Sequence, residues 1–144
     1  RDVAPKINKP KPALIHNIMI PALSGPKGKM SASNENETIY TTDPPETVKK
    51  KINKYAFSGG QPDIEEHRKK GGNPDIDVSY QYLRIFFEPD DKKLKQIHDD
   101  YKSGKMLTGE LKEILIEKIN NFLKSHQEKR ESAKNQLDKF LYKD

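Results

Sequence analysis

Residues 108–142, TGELKEILIEKINNFLKSHQEKRESAKNQLDKFLY, decide the fold class of this chain. The stretch contains no proline, and its one glycine, Gly109, stands near its beginning. Apolar side chains recur at intervals of three and four residues, the spacing of one face of an α-helix. They are Leu111, Ile114, Leu115, Ile119, Phe122, Leu123, Ala133, Leu137, Phe140 and Leu141. The stripe thins across residues 127–132, so the pattern predicts one long helix or two helices joined by a bend there.

A second helix is predicted to begin near residue 43. Asp43 can cap the free amides of a first turn, Pro44 fits that turn, and Glu46 can complete a capping box. Gly59 and Gly60 are expected to end the helix. Its buried face is predicted from the spacing of Val48, Ile52, Tyr55 and Ala56.

Three shorter segments lie between these two helices. Residues 63–70 predict a short helix ended by glycines, and residues 90–102 predict a helix with one apolar stripe. Residues 75–87 suit either a helix or a strand, because Val78, Tyr80 and Tyr82 alternate. The helical segments outweigh the others, so the chain is expected to be mainly α.

An aliphatic run precedes the helical part. Residues 12–23 hold β-branched and aliphatic side chains in a short run with proline near its end, which predicts a buried strand. We interpret it as the last strand of a sheet whose other strands lie outside this chain.

Residues 29–33, KMSAS, follow this run and carry the clearest chemical signal. Lys29 is expected to be accessible, and its ammonium can follow a phosphate as negative charge builds on it. Ser31 and Ser33 would add two hydroxyls on the same side of an extended segment. Gly25 and Gly28 would allow the loop to open and close. Taken alone, the pattern also fits a polar surface loop with one more lysine.

Other chemical sites are excluded by inspection. A P-loop would need glycine at Leu23 and a hydroxyl residue at Met30. The four histidines lack the paired spacing of a zinc site, and His67 is interpreted as a structural hydrogen-bond partner. The carboxylate pairs at residues 90–91 and 99–100 are explained by helix starts and solvated faces.

Composition and charge limit the function classes. The net charge is +5, but residues 1–33 carry six basic groups and one acidic group, and residues 34–144 carry 21 of each. A general electrostatic grip on nucleic acid is therefore poorly supported, and local clusters at residues 49–51 or 68–70 would have to provide any such contact. No cysteine is present, and no apolar run approaches the roughly 20 residues that span a membrane. We expect a cytoplasmic protein that has no membrane partner.

The lysine loop and its neighbours resemble class I aminoacyl-tRNA synthetases, in particular the tryptophanyl branch of the eukaryotic and archaeal type. KMSAS is that branch's form of the class I lysine signature. Further matching stretches occur in the family's order and spacing over nearly the whole chain. They are RDVAP at residues 1–5, PALIH at 12–16, AFSGG at 56–60, IEEHR at 64–68 and MLTGEL at 106–111.

This resemblance implies a division of the chain and a set of nucleotide contacts. Residues 1–41 would be the carboxy-terminal edge of a Rossmann-like catalytic domain, and residues 42–144 a helical anticodon-binding domain. The resemblance also favours a helix over residues 75–87. Lys29 would be the catalytic residue, and ATP, accompanied by Mg²⁺, would be bound by Lys29, Met30, Ser31, Ala32, Ser33, Met19 and Ile20.

The same resemblance implies the partners. They are tRNA(Trp), ATP and tryptophan, with a homodimer expected for the intact enzyme. Anticodon contacts are expected from the turn at residues 58–63 and the segment 103–112. The candidate side chains are Gln61, Asp63, Lys105 and Lys112.

We expect the chain to be a piece of a longer protein. It begins at Arg1, and the second class I signature, His-x-Gly-His, occurs nowhere in it. The chain alone is therefore predicted not to form aminoacyl-adenylate. The alternative function is a non-catalytic helical scaffold module that binds a protein partner through its last helix.

Overall fold

The computed structural model describes residues 2–141, and α-helices dominate it. Arg1 and residues 142–144, which the predicted domains and last helix include, lie outside the described residues. The strands are β1 (Pro21–Ala22) and β2 (Gly25–Lys29); the helices are α1 (Pro45–Tyr55), α2 (Ile64–Lys70), α3 (Val78–Tyr82), α4 (Asp91–Lys102) and α5 (Thr108–Lys134). A π-helical turn, Leu83–Phe87, continues α3, and short 3-10 helices span Pro5–Ile7 and Leu137–Lys139. The mainly α prediction is confirmed.

The long helix α5 forms one wall of the core and packs against α1 and α3. Its buried side chains are Leu111, Leu115, Ile116, Ile119 and Leu123. No bend interrupts it at residues 127–132, but it ends at Lys134, short of the predicted residue 142. Leu137, Phe140 and Leu141 are more than half exposed. These apolar side chains meet no core, so little tertiary packing stabilises a helix there.

The start of α1 differs from the prediction. The helix begins at Pro45, and no side chain caps it. The carboxylate of Asp43 instead accepts hydrogen bonds from the backbone N–H of Tyr40 (2.9 Å) and from Lys51 Nζ (2.7 Å). Lys51 is buried, and a buried ammonium needs a counter-charge more than a helix end needs a cap. The predicted capping box with Glu46 is therefore wrong.

The end of α1 is also earlier than predicted. Val48, Ile52 and Ala56 are buried as expected, but the helix ends at Tyr55 and not at the glycines. Ala56 is extended, and the next N–H, of Phe57, donates to the carbonyl of Leu23 at 2.7 Å. This bond joins the helical part to the β-hairpin, and it requires the helix to have ended.

The three shorter helices are confirmed. Asp63 accepts from the N–H of Glu66 at the start of α2, and Asp90 accepts from the N–H of Lys92 at the start of α4. At the start of α3, Asp77 accepts from Ser79 N and Tyr80 N. The segment 75–87 is therefore helical, as the family resemblance implied, and the strand alternative is wrong.

The aliphatic run forms much less strand than predicted. β1 pairs antiparallel with β2, so that Pro21 lies opposite Lys29. Residues 9–20, upstream of β1, have no regular structure, and Ile15 and Ile18 are 91% and 72% exposed. Within the described residues no further strand adds to this two-stranded sheet, so only the end of the run, residues 21–23, is buried as predicted. The hairpin is fixed where Tyr82 Oη donates to the carbonyl of Pro21 at 2.8 Å.

Glu88, just after the π-helical turn, gives the fold a predictable dependence on pH. Its carboxylate is almost fully buried, 2.9 Å from Lys118 Nζ and 3.5 Å from Lys93 Nζ. Burial alone would raise the pKa of Glu88, but the hydrogen bond from Lys118, the backbone N–H of Asp90 and the charges of both lysines together lower it. Because its pKa is lower in the folded state, the Glu88 carboxylate stabilises the fold at pH values above 4.5, the ordinary pKa of this carboxyl group. The stabilisation is lost as the pH falls through the folded-state pKa.

We therefore expect Glu88→Gln to lower stability at pH 7 by about 2 kcal/mol, or roughly 6 °C in Tm, because a charged hydrogen bond is lost. The gap to the unsubstituted chain should begin to narrow as the pH falls below about 4.5, and it should close only below the lowered folded-state pKa, where Glu88 is neutral as well. Thermal unfolding followed by circular dichroism between pH 7 and 3 measures the gap. Glu117→Gln, at an exposed position of α5, is the matched control. A gap that stays constant with pH would contradict the assignment.

Candidate functional site

The lysine loop, residues 29–33, begins at the end of the β-hairpin. Lys29 is the last residue of β2, and its side chain is exposed, as predicted. The next N–H, of Met30, donates to the carbonyl of Ile20 at 3.3 Å. This bond brings the two predicted upstream residues beside the loop. Met19 is 70% exposed, whereas Ile20 packs partly against the core.

The two serines of the loop lie on the same side, as predicted. Ser31 Oγ and Ser33 Oγ are 2.8 Å apart and share a hydrogen bond. The backbone between them is a turn rather than extended, and Asn34 N–H donates to the carbonyl of Ser31 at 3.3 Å. Lys29 and Ser33 are exposed and Ser31 is half-buried, so an anionic group can approach the lysine and the hydroxyl pair that follows it in the chain.

One of the two flanking glycines is required by the backbone. Gly25 has φ +139°, a conformation that L side chains rarely adopt, and it lies against the ring of Phe57. Gly28 has no such requirement, although a Cβ there would lie 3.3 Å from Ala22 Cβ. Opening and closing of the loop stays a prediction.

A groove of about 980 Å³ lies where the start of α2 meets the segment that leads into α5. Its lining includes Gln61, Asp63 and Lys105, three of the four residues predicted to contact tRNA. The two sequence segments proposed for anticodon contacts, residues 58–63 and 103–112, thus meet in one place. Lys112 does not line the groove; its Nζ donates to the carbonyl of Asn53 at 3.2 Å, and burial lowers its pKa.

The groove has both charged and apolar groups. Lys105 Nζ lies 3.1 Å from Asp100 Oδ1 at the rim. Glu110 accepts from the N–H of Leu107 at 2.6 Å, and Gln61 Nε2 donates to the carbonyl of Gly71 at 3.0 Å. His67 is buried, and its Nε2 lies 2.9 Å from the carbonyl oxygen of Met106, which agrees with its predicted structural role.

A buried hydrogen-bond network that the sequence analysis missed supports one side of the groove. Asp77 Oδ2 accepts from Tyr101 Oη (2.8 Å) and from the N–H of Gly59 (2.9 Å). Tyr101 Oη also lies 3.1 Å from Thr108 Oγ1, at the edge of the groove. Burial, followed by the charge of Asp77, raises the pKa of Tyr101 to about 12. Asp77 could have been recognised as a helix cap, but no sequence signal marks its contact with Tyr101.

Two basic clusters were predicted as possible contacts for nucleic acid, and some of their side chains are engaged in contacts within the protein. In the cluster at residues 49–51, Lys51 is buried against Asp43. In the cluster at residues 68–70, the guanidinium of Arg68 donates to the carbonyls of Gly104 and Lys105. Lys51 is therefore not free for a phosphate, which corrects that expectation for Lys51; Arg68 is exposed and uses only Nη1 in its two bonds.

The sequence model of one family, tRNA synthetases class I (W and Y), matches residues 1–124. The chain belongs to this class I synthetase family. Tryptophan–tRNA ligase of Sulfurisphaera tokodaii is 60% identical over 142 residues, which are 99% of this chain and 37% of that protein. The cytoplasmic tryptophan–tRNA ligase of Saccharomyces cerevisiae is 52% identical over 142 residues, 98% of this chain and 33% of that protein.

A solved member of the family has the same fold. Tryptophanyl-tRNA synthetase from Giardia lamblia superposes with a TM-score of 0.82 at 46% identity, covering 91% of this chain and 32% of that one. This chain thus spans about a third of the length of the synthetases that it matches. The alternative of a non-catalytic scaffold module finds no support in these similarities.

No helix among residues 2–141 is long and apolar enough to cross a membrane. In the same part of the chain, no three His, Cys, Asp or Glu side chains are grouped so that they could hold a metal ion.

Proposed function

We propose that the chain is the carboxy-terminal part of a tryptophan–tRNA ligase. It would supply the lysine loop that acts on ATP and a helical module that binds the anticodon of tRNA(Trp). The observation that carries this proposal is the exposed Lys29 beside the paired hydroxyls of Ser31 and Ser33, in a chain 60% identical to a tryptophan–tRNA ligase.

The proposed role of the lysine loop follows from the reaction. Amino-acid activation joins the carboxylate of tryptophan to the α-phosphorus of ATP and breaks the bond to pyrophosphate, so negative charge moves onto the leaving group. Lys29 is the proposed catalytic residue, because its ammonium would interact most strongly when that charge has developed. Ser31, Ser33 and the amide of Ala32 would bind phosphate oxygens, whereas the amide of Met30 donates to the carbonyl of Ile20. Mg²⁺ would arrive as the ATP complex.

Met19 and Ile20 are proposed to lie near the adenine. Their support is the bond from Met30 N–H to the carbonyl of Ile20, which joins this segment directly to the lysine loop. The exposed side chain of Met19 is available to a ligand, and Ile20 would contribute its backbone.

The proposed domain boundary divides residues 1–41 from residues 42–144. The first part would be the edge of a Rossmann-like catalytic domain, and the second the anticodon-binding domain. The boundary is supported by the change from a β-hairpin and irregular chain to five helices, the first of which begins at Pro45. A homodimer and a cytoplasmic location are also proposed, the latter because the yeast relative is named cytoplasmic.

The chain alone is proposed not to form tryptophanyl-adenylate. It covers 37% of the ligase from Sulfurisphaera tokodaii, and it lacks the second class I signature, His-x-Gly-His. The activity tests that follow therefore use a full-length ligase that carries this sequence.

The groove is the proposed anticodon site. Single-stranded bases are recognised when they are splayed out and bound by polar and aromatic side chains, and the groove is large enough for an unstacked base. Gln61 offers an amide, Asp63 a carboxylate, and Lys105 an ammonium that Asp100 holds at the rim. Lys112 faces α1 and would have to contact tRNA outside the groove.

We expect Gln61→Ala and Lys105→Ala in the full-length ligase each to raise the KM for tRNA(Trp) in aminoacylation about tenfold, since each removes a direct contact. Neither change should alter pyrophosphate exchange, which needs no tRNA. Lys102→Ala, at an exposed end of α4, is the matched control for Lys105. The same KM for the Lys105 and Lys102 variants would contradict the groove as the tRNA site.

A further inference from the structure

A short segment, residues 38–43, connects the lysine loop to the helical module; we name it the strap. Two strap side chains bind consecutive carbonyls of the loop. Thr38 Oγ1 donates to the carbonyl of Ser31 at 2.6 Å, and Tyr40 Oη donates to the carbonyl of Ala32 at 2.8 Å. Both bonds act on the turn that immediately follows Lys29.

The strap is itself fixed to α1. Lys51 Nζ, buried in the module, donates to the carbonyl of Thr38 at 2.9 Å and pairs with Asp43 Oδ2 at 2.7 Å. The same ammonium lies 4.6 Å from the centre of the Tyr40 ring, a cation–π distance. The ammonium of Lys51 thus contacts both ends of the strap, at Thr38 and Asp43, and also the ring of Tyr40.

A second attachment comes from α5. Gln127 Nε2 donates to the carbonyls of Thr41 (3.0 Å) and Asp43 (3.2 Å). The strap is therefore held by two different helices, while its own hydroxyls hold the loop. Hydrogen bonds thus join α1 and α5 to the strap, and further hydrogen bonds join the strap to the backbone of Ser31 and Ala32.

The hydrogen bond from Tyr40 Oη to the carbonyl of Ala32 positions the loop; it is not needed to satisfy a buried polar group. Ala32 is exposed, so water could satisfy its carbonyl at little cost. A protein donor there contributes mainly geometry: it selects one conformation of a turn that water alone would leave free. Catalytic groups need such support, because a displacement of about 1 Å can lower a rate about 100-fold.

We infer that Thr38 and Tyr40 are positioning residues: they hold the turn after Lys29 so that its ammonium meets the phosphates of ATP, with Lys51 and Gln127 anchoring the strap. This inference rests on the proposed function of the lysine loop. It assigns to the strap no contact with ATP. The two hydroxyls act through the lysine loop, chiefly through Lys29, and that makes their effect separable from a general loss of structure.

The test is a double-mutant cycle in the full-length ligase, read by tryptophan-dependent ATP–pyrophosphate exchange. Thr38→Val combined with Tyr40→Phe removes both donors and keeps the shapes of the side chains. We expect kcat to fall about tenfold while the KM for tryptophan changes less than about twofold. In a Lys29→Ala background, the same pair should cost much less than in the unsubstituted ligase, because the main group that it positions is absent.

Matched controls lie in the same region. Thr42→Val removes a hydroxyl from the strap, and Tyr55→Phe removes a phenol from α1; neither hydroxyl has a hydrogen bond among the described residues. The control pair should leave kcat unchanged. Tyr40→Phe alone, which deletes one exposed hydrogen bond, carries the test if the double variant fails to fold.

The outcomes separate the two levels of the proposal. Full exchange activity in Lys29→Ala would overturn the proposed function of the loop itself. A large loss in Lys29→Ala, together with no loss in the strap variant, would overturn the positioning role alone. An equal loss from the strap variant in both backgrounds would also overturn it, because the hydroxyls would then act independently of Lys29.

Discussion

Lys29→Ala should lower tryptophan-dependent ATP–pyrophosphate exchange by a full-length ligase about 100-fold, equivalent to about 2.7 kcal/mol of transition-state stabilisation. Lys29 is exposed at the end of β2, next to two serine hydroxyls 2.8 Å apart. Its ammonium can therefore meet the pyrophosphate as charge leaves the α-phosphorus. The loss should appear mainly in kcat, since a contact that strengthens in the transition state contributes little to ground-state binding.

The control for this variant is Lys27→Ala. Lys27 is exposed on the same strand and carries the same charge, so a general electrostatic effect on ATP would be similar for both lysines. We expect Lys27→Ala to keep nearly full exchange activity and both variants to keep their affinity for tRNA. Unchanged exchange in Lys29→Ala would remove the catalytic assignment.

Asp77→Ala should lower the free energy of unfolding of the chain by about 4 kcal/mol. The carboxylate is fully buried and accepts four hydrogen bonds. The donors are the N–H groups of Gly59, Ser79 and Tyr80 and the hydroxyl of Tyr101. Alanine would leave these donors without an acceptor in a region that water does not reach. Urea unfolding followed by circular dichroism measures the change.

Asp75→Ala provides the comparison for this loss. Asp75 lies two residues earlier and is exposed, so its removal should cost less than about 0.5 kcal/mol. Asp77→Asn keeps the shape of the side chain and one acceptor oxygen. Its NH2 group would replace the second oxygen and would face hydrogen-bond donors, so we expect a loss of stability between those of the two alanine variants. Equal midpoints for Asp77→Ala and Asp75→Ala would show that the network contributes nothing to stability.

Local chemistry explains which parts of the fold could be predicted. The helices α2 and α4 each begin with a short acidic side chain that binds amides of its own first turn. The buried stripe of α5 follows its apolar spacing as far as Leu123. In each case the deciding contacts lie within a few residues of one another, so they are visible in the sequence.

Parts that depend on distant partners could not be predicted. Asp43 was expected to cap α1, but it pairs with Lys51, whose burial only the folded chain reveals. The run at residues 12–23 was expected to be buried, yet only its end, residues 21–23, is buried. Burial of a strand requires neighbouring strands, and among the described residues only β2 pairs with β1. The same limit explains the early end of α5, where the apolar side chains have no core to meet.

The candidate site, too, could be predicted where it depends on neighbouring residues and not where it depends on distant ones. The lysine loop was proposed as a site because its five residues are contiguous and match a family signature; its chemistry taken alone also fits a surface loop. The groove was only half recognised: Gln61 and Lys105 were named, but their meeting depends on the packing of α2 against the segment before α5. Only the hydrogen-bonding role of Tyr101 was missed, because it depends on a contact with Asp77, 24 positions away in the chain.

The most direct test of the central claim, that this chain carries an anticodon-reading module, is a titration of the chain with fluorescently labelled tRNA. Labelled tRNA(Trp) and a copy with a substituted anticodon are compared at two salt concentrations, using protein whose circular dichroism confirms the helical fold. We predict tighter binding of the correct anticodon, with a preference that persists at the higher salt, because base contacts in the groove are less screened than phosphate contacts. Equal affinities for the two tRNAs that weaken together with salt would contradict the claim.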